Sequence, residues 1–198
     1  MASTDEQHLA APVPELHGDG IRLRMWDADS DADVADWLRG ITDPEFQRWN
    51  TPLKPVTDLD SARESLRTKA RETVEGTSVT YCVVDATSGA VLGSIGLQAI
   101  EPVLSVGRVG YWVLPEARGR RVAVRALNLA SRWAHTQLRL HRLELGHALG
   151  HDASCRVAEL CGYRYEGTLR GAMFASGRHD DFRDVHLHGR LATDPEPS

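Results

Sequence analysis

Residues 108–138 constrain the fold more than any other stretch of the chain. Arg108 to Leu114, with Val-Gly-Tyr-Trp-Val-Leu at its core, reads as a strand that Pro115 ends. Helical spacing then runs from Val122 to Leu138, with Ala126, Leu127, Ala130, Trp133 and Ala134 on one face. Arg142 to Leu149 returns to strand character. Strand, helix and strand in this order make a crossover connection between parallel neighbours, so a helix must lie on a sheet.

The flanks complete a mixed α/β pattern. Ile21-Arg22-Leu23-Arg24-Met25 alternates as a first strand. Val34, Trp37, Leu38 and Ile41 fall at helical spacing within 31–41, and Asp43-Pro44 stops or turns that helix. Asn50 to Pro55 reads as a loop. A second helix runs from Asp58, its N-cap, to Glu75, with Gly76 as its stop. Residues 77–84 and 90–100 pair as a hairpin around Asp85-Ala86-Thr87-Ser88-Gly89. A short helix from Asp152 to Cys161 ends at Gly162, and Tyr163–Leu169 and Phe182–Leu191 are the last strands, with 171–181 as the loop between them. The expected architecture is α/β: a mixed, mostly antiparallel central sheet of about seven strands with helices on both faces. Residues 1–17 and 193–198, polar and proline-marked, read as flexible tails around one domain over 18–192.

Composition narrows the function classes. A formal charge of -5 gives no support to a general nucleic-acid binder. Cys82, Cys155 and Cys161 form no CxxC pair, so neither a zinc ribbon nor a disulfide framework is expected, and a reduced cytoplasmic protein fits best. No apolar run reaches the ~18 residues of a membrane span, and the N-terminus lacks a signal-peptide pattern.

The chemistry sits where the central strand meets the long helix. Pro115-Glu116-Ala117-Arg118-Gly119-Arg120-Arg121-Val122-Ala123 is a basic, glycine-containing turn running into a helix start. Unpaired N–H groups and the helix dipole make such a start an anion cradle suited to a pyrophosphate. Gly119 lets the backbone come close, and Arg118, Arg120 and Arg121 add positive charge. A basic loop before an amphipathic helix is common on its own; its place before a crossover helix, where α/β ligand sites cluster, strengthens the reading.

From about residue 20 to 192 the chain resembles the GNAT superfamily of N-acetyltransferases, in particular its RimJ/RimL branch of ribosomal-protein N-terminal acetyltransferases. Arg118 fills the first position of that family's Gln/Arg-x-x-Gly-x-Gly/Ala signature and Ala123 the last, while Arg121 replaces the usual middle glycine. Further on, Ser154 and Gly162-Tyr163 match, with His151 in place of an asparagine. Glu166-Gly167-x-Leu169-Arg170 and Asp184 also fit, and His188 stands where tyrosine is common. The resemblance implies acetyl-CoA, or another short acyl-CoA, as co-substrate. It would be held by Trp112, Val113, Leu114, Arg118, Gly119, Arg120, Arg121, Val122, Ala123 and Ser154. It also implies a fourth strand splayed from the fifth.

The reaction so implied is direct attack of an amine on the thioester carbon. Val113 N–H is the candidate oxyanion donor. Ser154 is the candidate general acid or hydrogen-bond partner for the leaving sulfur, with a serine bonded to its own helix backbone as the plainer reading. Arg108 occupies the family's usual glutamate position, which leaves the base open among Glu101, Glu144, His147, His151 and a water relay. Trp49, Trp112 and His179 are nominated for the acceptor, with Trp26, Phe46 and Phe174 as further pocket aromatics; core packing competes for each aromatic. His186-x-His188 has metal-like spacing, but with no third ligand evident no metal is expected.

Three functions follow. The first is acetylation of a peptide or protein N-terminus, the second acylation of a small amine such as an amino sugar or polyamine, and the third non-catalytic acyl-CoA binding. No nucleic-acid or membrane partner is expected. Monomer and homodimer both fit the resemblance, with the homodimer preferred.

Overall fold

The computed structural model describes residues 13–197. Eight strands form one sheet: β1 (Leu16–Gly18), β2 (Ile21–Met25), β3 (Val79–Asp85), β4 (Val91–Glu101), β5 (Val106–Val113), β6 (Arg142–Ala148), β7 (Arg164–Ala175) and β8 (Arg178–Leu191). Their spatial order is β1-β2-β3-β4-β5-β6-β8-β7. All neighbours are antiparallel except β5 and β6, which α4 (Val122–Thr136) joins by the expected crossover.

Two apolar layers cover the sheet. α4 and α5 (Asp152–Leu160) lie on one face, over a core that includes Leu97, Val109, Leu127, Leu143 and Tyr163. α1 (Asp31–Ile41) and α3 (Leu59–Val74) build the other around Val34, Trp37, Ile41, Ala62 and Leu66. Caps fix the ends of these helices: Ser30 accepts from Asp33 N–H, and Asp58 and Ser61 form a reciprocal capping box.

The structure corrects the sequence reading at three places. The sheet has eight strands rather than seven, because β1 begins at Leu16 inside the stretch expected to be a tail; residues 1–12 of that expectation lie outside the described residues. Pro44–Trp49 is a helix, α2, rather than a stop followed by a loop, since Asp43 accepts from Glu45 and Phe46 N–H and Pro44 suits a first turn. The expected loop over 171–181 is mostly strand: β7 and β8 meet in a two-residue turn at Ser176-Gly177, with both φ angles positive.

The feature that positions the site is a divergence. β5 and β6 pair from Val106↔Arg142 to Val109↔Leu145 and then part, while β5 continues beside β4 to Gly93↔Val113. Leu114 N donates to Leu92 O at 2.9 Å. Antiparallel bonding alternates along a strand, so Tyr111 and Val113 turn their N–H and C=O groups away from β4 and into the opened gap. The fourth and fifth strands of the sequence reading are thus splayed as expected.

Candidate active site

Below the gap, β5 ends in a short 3-10 turn (Pro115–Ala117), and Arg121 begins α4. The α4 N-terminus has no side-chain cap, so its first N–H groups are free donors. Gly119 takes φ +74°, with open space where a Cβ would stand. Arg121 also sits in the left-handed region, at φ 54° and ψ 25°. That explains why a glycine is usual there: an L-residue in this conformation costs about 1–2 kcal/mol. Arg121→Gly should therefore raise stability by roughly 0.5–1 kcal/mol after the greater freedom of glycine in the unfolded chain is counted. Thermal unfolding checks this; a lowered midpoint would mean that the arginine side chain makes compensating contacts.

The arginines of the turn do different work. Arg118 points back towards the sheet, pairing with buried Asp43 and donating from Nε to Val113 O at 3.2 Å. It ties the start of α2 to the end of β5. Arg39 adds a second strap, from α1 to Glu116 at 2.6 Å. Arg120 and Arg121 remain exposed at the mouth of the α4 N-terminus, Arg120 lying 3.8 Å from Asp85.

At the open end of the gap, Tyr111 and Ser154 meet across the divergence. The Tyr111 hydroxyl donates to Ser154 Oγ at 3.2 Å, and Ser154 Oγ lies 3.1 Å from His151 Nδ1. Burial pushes the Tyr111 phenol up to about 12, so it stays protonated. Burial, with the neighbouring His147 adding to it, lowers His151 to about 4, so its imidazole is neutral. Ser154 Oγ accepts from Tyr111 and shares one proton with His151 Nδ1, the direction following the imidazole tautomer. This is not the backbone-bonded helix-start serine that sequence alone left open.

Trp49, at the end of α2, stacks on His151 with ring centroids 4.6 Å apart and planes 9° apart. Its Nε1 donates to Glu45 Oε1 at 2.7 Å. The β7–β8 hairpin tip closes over the same corner: Gly177 N donates to Thr51 Oγ1 at 3.2 Å, and His179 Nε2 lies 3.2 Å from Pro52 O. His179 is exposed and packs on Phe174 at 5.0 Å. Trp112, in contrast, turns its indole to the α1 layer, 6.0 Å from Trp26 and 5.8 Å from Trp37. Trp26 and Phe46 pack with that same layer.

Of the base candidates, Glu144 is engaged by Arg142 at 3.0 Å and Arg108 at 3.4 Å, and Glu101 caps the Val103 N–H in an exposed turn. His151 alone joins the Ser154 chain directly; His147 packs edge-on behind it at 6.1 Å. Sequence reasoning missed Tyr111. The available signal was strand alternation, which sets Tyr111 opposite to Trp112 and so on the α5 side.

A sheet opened between two parallel strands, with an uncapped helix start below and a hydroxyl chain above, is the arrangement of an acyl-CoA-dependent N-acetyltransferase. The chain belongs to the acetyltransferase (GNAT) domain family, whose sequence pattern matches residues 21–164. A 93-residue stretch, 47% of the chain, is 29% identical to YdaF of Bacillus subtilis (strain 168), named as a ribosomal N-acetyltransferase; it spans about half (51%) of that protein. The fold is shared with RimL, the ribosomal L7/L12 alpha-N-protein acetyltransferase solved with coenzyme A, at a TM-score of 0.80 and 18% identity over 90% of this chain and 98% of that one. Mycobacterium smegmatis RimJ, solved with a coenzyme A disulfide, gives 0.79 and 20% over 92% and 89%. Among the described residues no helix is long and apolar enough to cross a membrane.

Proposed function

We propose that this chain moves an acetyl group from acetyl-CoA to the α-amine of a peptide or protein N-terminus. The observation that carries the reading is the placement of the Val113 N–H, turned away from β4, and the Tyr111–Ser154–His151 chain across one gap. The names of YdaF and RimL support a ribosomal-protein or similar acceptor.

The pantetheine arm lies along the open edge of β5. The pyrophosphate meets the free N–H groups from Gly119 to Ala123, with the side chains of Arg120 and Arg121 flanking it. The amine nitrogen bonds to the thioester carbon, and Val113 N–H faces the oxygen on which charge develops. The C–S bond then breaks with its electron pair going to sulfur. Ser154 Oγ supplies the proton to the thiolate and is reprotonated through the neutral His151 imidazole, which takes up the proton lost by the amine, while Tyr111 stays protonated and holds Ser154 in place. Trp49 and the hairpin tip at His179 form the acceptor's wall, and Trp112 forms its floor through the tryptophan cluster.

Thiol release from acetyl-CoA, measured against peptides with free and blocked N-termini and against amino sugars and polyamines, tests this. Turnover is expected on free N-terminal peptides and not on blocked ones, with Trp49→Ala raising the peptide KM about tenfold by loss of an aromatic contact. Turnover confined to small amines would replace the acceptor assignment. Acetyl-CoA binding without turnover of any amine would leave a binding module.

A further inference from the structure

Behind the Ser154 chain lies a second cluster that the transfer reaction does not use. His147 on β6, Cys155 on α5, and His186 and His188 on β8 each aim one donor atom at a common point, and these four atoms all lie within 4.8 Å of one another. The backbone explains the convergence. His186 and His188 are two apart on β8 and share a face, His147 is the cross-strand partner of His186, and the first turns of α5 bring Cys155 over them. Sequence spacing showed only the His186-x-His188 pair; the third and fourth donors come from other elements.

Three of the six donor separations are close to the edges of a tetrahedral ion, and all six lie within 4.8 Å. His147 Nε2 and His188 Nε2 are 3.3 Å apart, and Cys155 Sγ is 3.5 Å from His186 Nδ1 and 3.7 Å from His188 Nε2. Zinc bonded at about 2.0–2.1 Å to nitrogen and about 2.3 Å to sulfur requires tetrahedral edges near 3.3 Å for N–N and near 3.5 Å for S–N. His147 Nδ1 donates to Ala148 O at 3.0 Å, which fixes the tautomer that leaves Nε2 as a lone pair facing inward. The 3.3 Å contact between His147 Nε2 and His188 Nε2 is met either by a proton on His188 Nε2 or by a cation between two lone pairs. His147 and His188 are 5% and 1% exposed, so their donor atoms are shielded from water. Tyr165 covers the outer side, with its ring 5.1 Å from His186 and 5.6 Å from His188. No carboxylate oxygen belongs to the donor set, so a hard ion such as magnesium or calcium has nothing to select it.

We infer that His147, Cys155, His186 and His188 form a zinc site. Four protein donors close the coordination sphere, which makes the site structural rather than catalytic. It locks the start of α5 to β6 and β8. Cys155 directly follows Ser154, and the His147 ring lies against His151, so the ion fixes the shell behind the Tyr111–Ser154–His151 chain.

The test uses the full chain without a polyhistidine tag, purified through a chelating buffer and analysed for metal. About one zinc per chain is expected to survive. Stripping it under denaturant and refolding with cobalt should give the intense visible bands of a tetrahedral ion together with a sulfur-to-cobalt charge-transfer band. Cys155→Ser should abolish the charge-transfer band, and His186→Ala, at a half-buried position, should weaken cobalt binding at least tenfold. Because a variant may misfold, the wild-type chain carries a separate readout: after stripping under denaturant and refolding without metal, its melting temperature should fall by several degrees, and zinc should restore it. Less than about a tenth of an equivalent of zinc, with only an octahedral cobalt spectrum, would overturn the site. A charge-transfer band that persists in folded Cys155→Ser would overturn the donor set.

Discussion

Ser154→Ala should lower kcat about 10²-fold while leaving the KM for acetyl-CoA within about twofold, the signature of a lost proton donor rather than a lost binding contact. The geometry sets this expectation. Ser154 is the middle of the Tyr111–Ser154–His151 chain, stands at the mouth of the gap between β5 and β6, and has no competing acceptor in its own helix backbone. Structural damage is separable from lost chemistry. Removing the serine hydroxyl leaves the half-buried Tyr111 hydroxyl without that partner, which costs about 0.5–1.5 kcal/mol. Tyr111→Phe in the same chain removes that orphan, so the double variant should recover stability without recovering turnover. Tyr111→Phe alone acts through Ser154 and should cost about tenfold in kcat, because it weakens the positioning of the serine hydroxyl but leaves the donor in place. A Ser154→Ala enzyme within about threefold of wild type would reduce Ser154 to a packing residue and remove the relay.

The crossover that defines the sheet was legible because period and punctuation agree there: alternation over Arg108–Leu114, Pro115, then an apolar stripe at helical spacing. Both missed turns had a signal of the same kind. Asp19-Gly20 and Ser176-Gly177 are two-residue turns with positive φ at both positions, and Asp-Gly is a strong mark of such a turn. The strands they join escaped for different reasons. Leu16–Gly18 is too short for alternation to register, and β7, read as ending at Leu169, is exposed along most of its length, so no apolar period marks its continuation to Ala175. Helix α2 was hidden because Asp43-Pro44, read as a stop, is equally the cap and first residue of a new helix. The basic turn was legible in composition but not in direction. That Arg118 would turn back to Asp43 depends on where α2 packs, 75 positions away in the sequence. The histidine–cysteine cluster was out of reach for the same reason, since β6, α5 and β8 bring its members together only after the sheet forms.

Gly93→Ala is expected to be the most damaging small substitution near the site. Gly93 faces Val113 across the β4–β5 ladder, and the register of β4 against β3 shifts at the adjacent Leu92, where one extra residue bends the strand. In this tight pair a Cβ on Gly93 would overlap the Trp112 carbonyl oxygen, closer than real Cβ atoms approach, and would stand 3.0 Å from Val113 Cα. The obstacle is backbone, which cannot swing aside as a flexible side chain does. The ladder must open at the residue whose N–H is proposed to face the thioester oxygen. Overpacking of this kind costs about 2–3 kcal/mol, which lowers the melting temperature by roughly 5–10 °C in a chain of this size. Displacing the oxyanion donor by even a fraction of an ångström should also lower kcat/KM about 10²-fold. Gly110→Ala provides the contrast on the same strand pair, since its Cβ would meet only Gln98 Nε2, at 3.7 Å. Its melting temperature should stay within about 2 °C of wild type. If Gly93→Ala melts and turns over like wild type, the β4–β5 ladder tolerates the methyl group, and Val113 is not held tightly enough to serve as a preorganised oxyanion donor.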